Sequence, residues 1–100
     1  MNKKWYFIGK YLLNTEAVSV TDEEFVDSYI KEFNVKHKVT LYGAYKCYDL
    51  GRQLSQMYKR GFLDRFIIGI NAPIDGFPKW VYTYSLRREY FNLFKDNKEI

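Results

Sequence analysis

The chain has little of what enzymes, metal sites and disulfide-bonded proteins are built from. It contains one cysteine, Cys47, and one histidine, His37, so no intramolecular disulfide can form and no cysteine–histidine cluster has the spacing of metal ligands. A phosphate-binding glycine loop and a nucleophile elbow are also missing, and a single histidine leaves few candidates for a general base. We therefore expect a protein that is not an enzyme and that uses neither a metal ion nor a cofactor.

Long apolar runs are missing as well. The apolar stretch that follows Lys3 and Lys4 is interrupted by Lys10, and no small-residue cleavage site comes after it, which argues against a secretory signal. No stretch approaches the length of a membrane span. We expect a cytoplasmic protein with no membrane association.

Aromatic residues, in contrast, are plentiful at 20% of the chain, and the charge is unevenly distributed. Residues 14–30 carry five acidic residues and no Lys or Arg, whereas residues 31–65 hold eight Lys or Arg against three Asp or Glu. One hundred residues suffice for one domain with a thin core. The basic segment favours a polyanion as the partner, because contacts with phosphates release condensed counterions.

Two helices are predicted in the first third of the chain. Residues 3–13 carry apolar side chains at helical spacing. A second helix is predicted over residues 22–34, because Thr21 and Glu24 have the spacing of a capping box in front of an apolar run. Residues 17–20, between the two helices, are a candidate for a short strand.

A third helix is predicted over residues 41–60, with Thr40 as its N-cap and Gly61 as its stop. One apolar stripe defines its buried face: Cys47, Leu50, Leu54 and Met57. Gly43 costs about 1 kcal/mol relative to alanine inside a helix. The alternative is therefore that this helix breaks at Gly43 or restarts at Asp49.

The last third of the chain predicts a β-ribbon followed by a helix. Two runs of strand-forming residues, 66–71 and 80–86, flank a cluster of turn-forming residues, namely Pro73, Asp75, Gly76 and Pro78. Residues 87–98 then predict a C-terminal helix, with apolar positions at Tyr90, Phe91 and Phe94.

The segment from Leu54 to Arg65 reads LSQMYKRGFLDR, a helix that ends in basic residues and a glycine, and a ribbon ending in YTYSL follows it. This pattern resembles the recognition helix and wing of winged helix-turn-helix DNA-binding proteins, and the resemblance extends over most of the chain. It implies an α+β fold in which residues 1–100 form one winged-helix domain. The expected domain has three bundled helices, a two- or three-stranded antiparallel wing and a C-terminal helix.

The resemblance further implies a sequence-specific regulator of transcription that binds double-stranded DNA with its third helix in the major groove. Arg can read guanine and Gln adenine, while Lys and Tyr reach phosphate oxygens; an aspartate fits such a face only if it pairs with an arginine or accepts from cytosine. The predicted DNA-binding residues are Lys38, Thr40, Tyr45, Lys46, Tyr48, Asp49, Arg52, Ser55, Gln56, Lys59 and Lys79.

The turn of the ribbon departs from a typical DNA-binding wing. Between Asn71 and Trp80 only Lys79 is basic, and the other prominent side chains are apolar, at Ile74, Phe77 and Trp80. Minor-groove contact normally uses Arg or Lys. The alternative function is therefore a winged-helix adaptor or inhibitor that binds a protein partner through its aromatic wing and C-terminal helix.

A single recognition helix covers only a short half-site, which favours a symmetric homodimer on DNA. The terminal helices carry more aromatic rings than one thin core is expected to bury. The predicted dimer interface consists of Trp5, Tyr6, Tyr90, Phe91 and Phe94. The alternative is a monomer in which the same rings close the core.

Overall fold

The computed structural model describes residues 2–39, 45–70 and 80–96 of the chain. Within these residues the fold is α+β, with four α-helices, a two-stranded antiparallel sheet and a second ladder only two residues long. In chain order the elements are α1 (Lys3–Leu13), α2 (Glu23–Phe33), β1 (Lys38–Val39), β2 (Tyr45–Lys46), α3 (Tyr48–Lys59), β3 (Leu63–Ile70), β4 (Trp80–Leu86), a 3₁₀ turn (Arg88–Tyr90) and α4 (Phe91–Asp96). None of the helices in the described stretches has both the length and the apolarity needed to cross a membrane.

Helix α1 occupies the same residues that the apolar spacing predicts. The Asn2 side chain caps it by accepting a hydrogen bond from the backbone N–H of Trp5 at 2.8 Å. Its buried residues are Ile8, Gly9 and Leu12, which follow helical spacing. The first helix is therefore determined by signals that lie within its own sequence.

Helix α2 begins at Glu23, one residue later than predicted, and the predicted capping box is wrong. Asp22 is the N-cap, but its carboxylate accepts from the backbone N–H of Ser19 at 2.7 Å and so closes the turn before the helix. The Thr21 hydroxyl likewise pairs with the hydroxyl of Ser19, at 3.1 Å. The helix ends at Asn34, whose φ of 51° is the left-handed conformation of a helix C-terminus.

Helix α3 begins at Tyr48, so the predicted start of the third helix at residue 41 is wrong. Tyr45 and Lys46 instead form β2, which pairs with β1 in antiparallel register. The structure is close to the alternative in which the helix restarts at Asp49. Cys47 is buried, as predicted, but it lies at the N-cap position and not on the helical stripe. Thr40 and Gly43 lie outside the described residues.

Gly61 ends α3 as predicted. Its φ of 86° is a conformation that favours glycine. The N–H of Gly61 donates to the carbonyl of Tyr58 and the N–H of Phe62 donates to that of Met57, both at 3.0 Å. These two bonds form a Schellman motif, which fixes the direction in which the chain leaves the helix toward β3.

Strand β3 begins at Leu63, three residues before the predicted start of the ribbon, and β4 has the predicted bounds. The strands pair from Leu63 with Leu86 to Ile70 with Trp80, with an irregularity between Ile67 and Gly69. The candidate strand at 17–20 is reduced to one bridge, in which Val18 and Tyr84 exchange backbone hydrogen bonds of 2.9 and 2.7 Å. The turn predicted for residues 71–79 lies outside the described residues.

The predicted C-terminal helix at 87–98 begins instead as a 3₁₀ turn and becomes α-helical at Phe91. Residues 97–100 are outside the described part of the chain. Helix α4 packs against α1, where the ring of Phe94 lies directly over Gly9. A Cβ atom at Gly9 would lie 2.2 Å from that ring, so the two helices can approach this closely only because residue 9 is glycine.

Candidate nucleic-acid interface

One side of α3 presents polar and basic side chains to solvent. The buried side consists of Leu50, Leu54 and Met57. Opposite to it lie Tyr48, Arg52, Ser55, Gln56 and Lys59, which we call the α3 face. Tyr48 is 61% exposed and the Arg52 side chain 62%, while Ser55 is partly buried. The structure therefore brings together five of the seven side chains that the helical wheel assigns to this face.

The other two residues of the predicted face are placed differently. Tyr45 belongs to β2, because the helix starts three residues after it. Asp49 is within the helix, but its side chain is only 14% exposed and faces the bundle. The prediction that these two residues lie on the exposed helix face is therefore wrong. Of the remaining predicted contacts, Thr40 and Lys79 lie outside the described residues.

The Asp49 carboxylate joins three helices. It accepts hydrogen bonds from the ammonium of Lys4 in α1 at 3.0 Å, from the hydroxyl of Tyr29 in α2 and from the guanidinium of Arg52 at 2.8 Å. Burial alone would raise the pKa of Asp49, but these three donors outweigh it and hold that pKa below its usual value. For Tyr29, burial and the bond to Asp49 both raise the pKa. Asp49 therefore orients Arg52 and ties α3 to the bundle.

A basic groove lies beside the first turn of α3. It has a volume of about 820 Å³ and is lined by residues 34–38 together with Tyr48, Asp49 and Arg52. Lys36 and Lys38 are exposed on its rim. Lys38 and Lys46 are direct cross-strand partners in the β1–β2 ladder, and like charges in that position repel each other. An anion bound at this place would relieve the repulsion.

Lys46 also contacts the α3 face. Its ammonium lies 4.2 Å from the centre of the Tyr48 ring. The interaction with the Lys46 side chain lowers the pKa of Tyr48, because the positive charge favours the phenolate. The β1–β2 ladder, which sequence reasoning did not find, thus places Lys46 next to the helix that was expected to contain it.

Sequence reasoning missed Arg65. Its guanidinium contacts two tyrosine rings, 4.0 Å from the centre of Tyr58 in α3 and 4.1 Å from the centre of Tyr82 in β4. Arg65 also interacts with the Tyr84 hydroxyl: burial raises the pKa of Tyr84, and the positive charge of Arg65 opposes that rise. Starting the strand at residue 66 left Arg65 in a turn, whereas the alternation from Leu63 to Arg65 would have placed it facing α3.

The residues predicted for a dimer interface make many contacts within the chain. The Trp5 indole N–H donates to the side-chain oxygen of Gln53 at 2.8 Å, and both Trp5 and Tyr90 pack on Phe62, with ring centres 5.7 and 4.7 Å apart. Phe94 is fully buried, so its predicted place at a surface between subunits is wrong. Tyr6 is partly buried, and Phe91 remains 40% exposed.

In the described stretches, no group of three or more His, Cys, Asp or Glu side chains is arranged to hold a metal ion. Comparisons of the chain with protein-family models, with curated proteins and with solved structures find no match.

Proposed function

We propose that this chain is a winged helix-turn-helix protein that binds double-stranded DNA and regulates transcription, with α3 in the major groove. The observation that carries the proposal is the α3 face, a continuous polar and basic surface on a helix whose other side is fully packed. The order of elements supports it, since α1, the Val18 bridge, α2, α3 and the β3–β4 ribbon follow one another as in the winged-helix family that the sequence resembles.

The chemistry of the α3 face suits base and phosphate contacts. A helix of 12 residues is about 18 Å long and fits the major groove. Arg52 can donate two hydrogen bonds to guanine, and Gln56, one turn further along, can pair with adenine. Because Asp49 holds Arg52 from the side at 2.8 Å, part of the entropy cost of ordering this arginine is already met before DNA binds.

The basic residues near the start of α3 suit the DNA backbone. Three lysines flank the α3 face near its start, namely Lys36 and Lys38 on the groove rim and Lys46 in β2, and Lys59 belongs to the face at the other end of the helix. Each lysine that neutralises a phosphate releases counterions and adds to affinity without reading sequence. In this arrangement Arg52 and Gln56 supply specificity, and the lysines supply affinity.

Titration of a labelled duplex of random sequence at low salt, followed by fluorescence anisotropy, tests the proposal. Selection of bound duplexes from a random pool then gives the preferred site. On that site Arg52→Ala should cost about 1–3 kcal/mol and relax one base position. Asp49 keeps its bonds to Lys4 and Tyr29 in this variant, so the fold should persist.

Lys95→Ala, which removes an exposed charge from α4, is the matched control and should bind like the parent. A parent chain that leaves random duplex unbound at low salt would exclude the proposal. Equal affinity of Arg52→Ala and the parent for every selected duplex would exclude the assignment of the α3 face.

A specific feature of β3 favours a second candidate function, a winged-helix adaptor or inhibitor that binds protein. Phe66 is 67% exposed, and Ile67 beside it is also exposed, on the other side of the ribbon. Each side of the ribbon thus presents a large exposed apolar side chain, which a bound protein partner would bury. An adaptor should show no duplex binding even at low salt, so the titration above separates the two candidates.

A further inference from the structure

A second pocket lies between α3 and the ribbon. It has a volume of about 320 Å³, and its walls are the first two turns of α3 on one side and Arg65, Tyr82 and Tyr84 on the other. Lys46 and Val20 complete the lining. The pocket adjoins the α3 face, because Tyr48, Arg52 and Ser55 contribute to both.

The charged side chains that line this pocket are all basic. Lys46, Arg52 and Arg65 line it, and the lining contributed by described residues includes no carboxylate. Arg52 is already paired with Asp49, which lies outside the pocket. Within the described part of the chain, neither Lys46 nor Arg65 has a carboxylate within ion-pair distance. Two positive charges are therefore left for an incoming anion.

Arg65 is held in a way that selects for an oxyanion. The rings of Tyr58 and Tyr82 both lie against its guanidinium, with their centres 4.0 and 4.1 Å from Cζ, which restrains the group while its N–H groups remain for hydrogen bonds. Tyr84, which also lines the pocket, interacts with the same guanidinium. The in-plane donors of an arginine match pairs of oxygen atoms on carboxylate or phosphate, and a guanidinium that is already immobilised loses little entropy on binding.

We propose that this pocket binds a phosphate group, with Arg65 and Lys46 as the cations that hold it. Phosphate fits better than carboxylate, because two unneutralised cations and the hydroxyls of Ser55 and Tyr84 can serve the several oxygens and the larger charge of a phosphate. The volume exceeds that of the phosphate itself and leaves room for a substituent beside Val20 and the tyrosine rings.

The phosphate can belong to the DNA backbone or to a small phosphate ester. The first source rests on the proposed function, since a duplex seated on the α3 face would pass the mouth of the pocket. The second source does not rest on it. A small ester held there would compete with DNA, because Arg52 and Ser55 border both sites.

Heteronuclear NMR of the labelled whole chain tests the inference. Phenyl phosphate, benzoate and a short duplex are titrated separately, and the Nε–H resonance of Arg65 and the amide of Gly51 report on the pocket. The amide of Gln56 reports on the α3 face. We expect saturable shifts at Arg65 and Gly51 with phenyl phosphate or with duplex, and weaker binding of benzoate.

Arg65→Gln should weaken binding roughly ten- to a hundredfold, as expected for the loss of a charge-assisted hydrogen bond. Arg88→Gln, an exposed arginine in the 3₁₀ turn, is the matched control and should bind like the parent. If Arg65→Gln does not fold, Lys46→Gln, which removes the other unpaired cation of the lining, replaces it and should also weaken binding.

Each outcome of these titrations either supports or overturns the phosphate pocket, the DNA-binding proposal or both. Saturation by phenyl phosphate identifies a small ester as the source, and movement of Arg65 with duplex alone identifies the backbone. If neither moves Arg65, or if both pocket variants bind like the parent, the inference is wrong. If duplex shifts the amide resonance of Gln56 but not the Nε–H resonance of Arg65, the proposed function stands and the DNA backbone is excluded as the source of the phosphate. If phenyl phosphate shifts the Arg65 resonance while duplex shifts no resonance, the phosphate pocket is supported and the proposal of DNA binding is wrong.

Discussion

At the scale of single residues, the Asp49 carboxylate is the polar centre of the helical bundle, with Lys4, Tyr29 and Arg52 as its donors. Asp49→Asn removes the charge but keeps an oxygen that can accept from Tyr29. We expect it to lower the free energy of unfolding by about 1–2 kcal/mol at neutral pH, because solvent screens the two partly exposed cations. Urea denaturation measures this, with Asp64→Asn as the control.

Asp64 is an aspartate of the exposed ribbon surface that pairs with Arg87 at 3.5 Å, and its replacement should change stability by less than about 0.5 kcal/mol.

The pH dependence adds a second measurement. The pKa of Asp49 is lower in the folded chain than its ordinary value, so its contribution to stability is complete above the unfolded pKa and is lost as pH falls through the folded one. In a plot of the free energy of unfolding against pH, Asp49→Asn should therefore make the decrease at acidic pH less steep. An unchanged decrease would contradict this role.

At the scale of elements, the sequence predicts those boundaries that short-range contacts determine. Gly61 ends α3 by bonds within its own last turn, and α1 is capped by its neighbour Asn2. The start of α3 could not be predicted in this way, because residues 45–46 pair with residues 38–39 in a β-ladder. Long-range partners also explain why the prediction of Asp49 on the exposed helix face is wrong, since its partner Lys4 lies 45 residues away in the chain.

The contact between α1 and α4 makes a prediction for two glycines of similar helical context. Gly9→Ala places a methyl group 2.2 Å from the buried ring of Phe94 and should destabilise the chain by about 1–3 kcal/mol, in spite of the better helix propensity of alanine. Gly51→Ala in α3 meets only Val20, at 3.7 Å, and should stabilise by up to about 1 kcal/mol. Thermal unfolding followed by circular dichroism measures both, and equal effects would mean that α4 does not pack on Gly9 in solution.

At the scale of the whole molecule, the basic residues around α3 predict how DNA binding depends on salt. Lys59→Ala and Lys46→Ala should weaken binding to all sequences about equally, and each should lower the magnitude of the slope of log affinity against log salt by about one unit. Lys95→Ala should leave the slope unchanged. Affinity measured from low to physiological salt gives these slopes, and a loss confined to the preferred sequence would assign the lysines to base contact instead.

The assembly state is the second prediction at this scale. Phe94 belongs to the core and the rings of Trp5 and Tyr90 pack on Phe62, so Phe91 is the ring of α4 that is most available to a second copy. One recognition helix contacts only a short half-site, and a dimer that reads two half-sites about 34 Å apart would recognise a longer sequence. We expect sedimentation equilibrium at micromolar protein to give twice the chain mass of 12.1 kDa.

Phe91→Glu should then give a folded monomer, because a charge at an exposed position disrupts an apolar contact between subunits without entering the core. Phe94→Glu is the contrasting variant. It buries a carboxylate against Gly9 and should unfold the chain. A parent chain that sediments at the monomer mass at every concentration would show that the terminal helices only close the core. In that case one chain would have to recognise DNA alone, and the selected sites should contain a single half-site without symmetry.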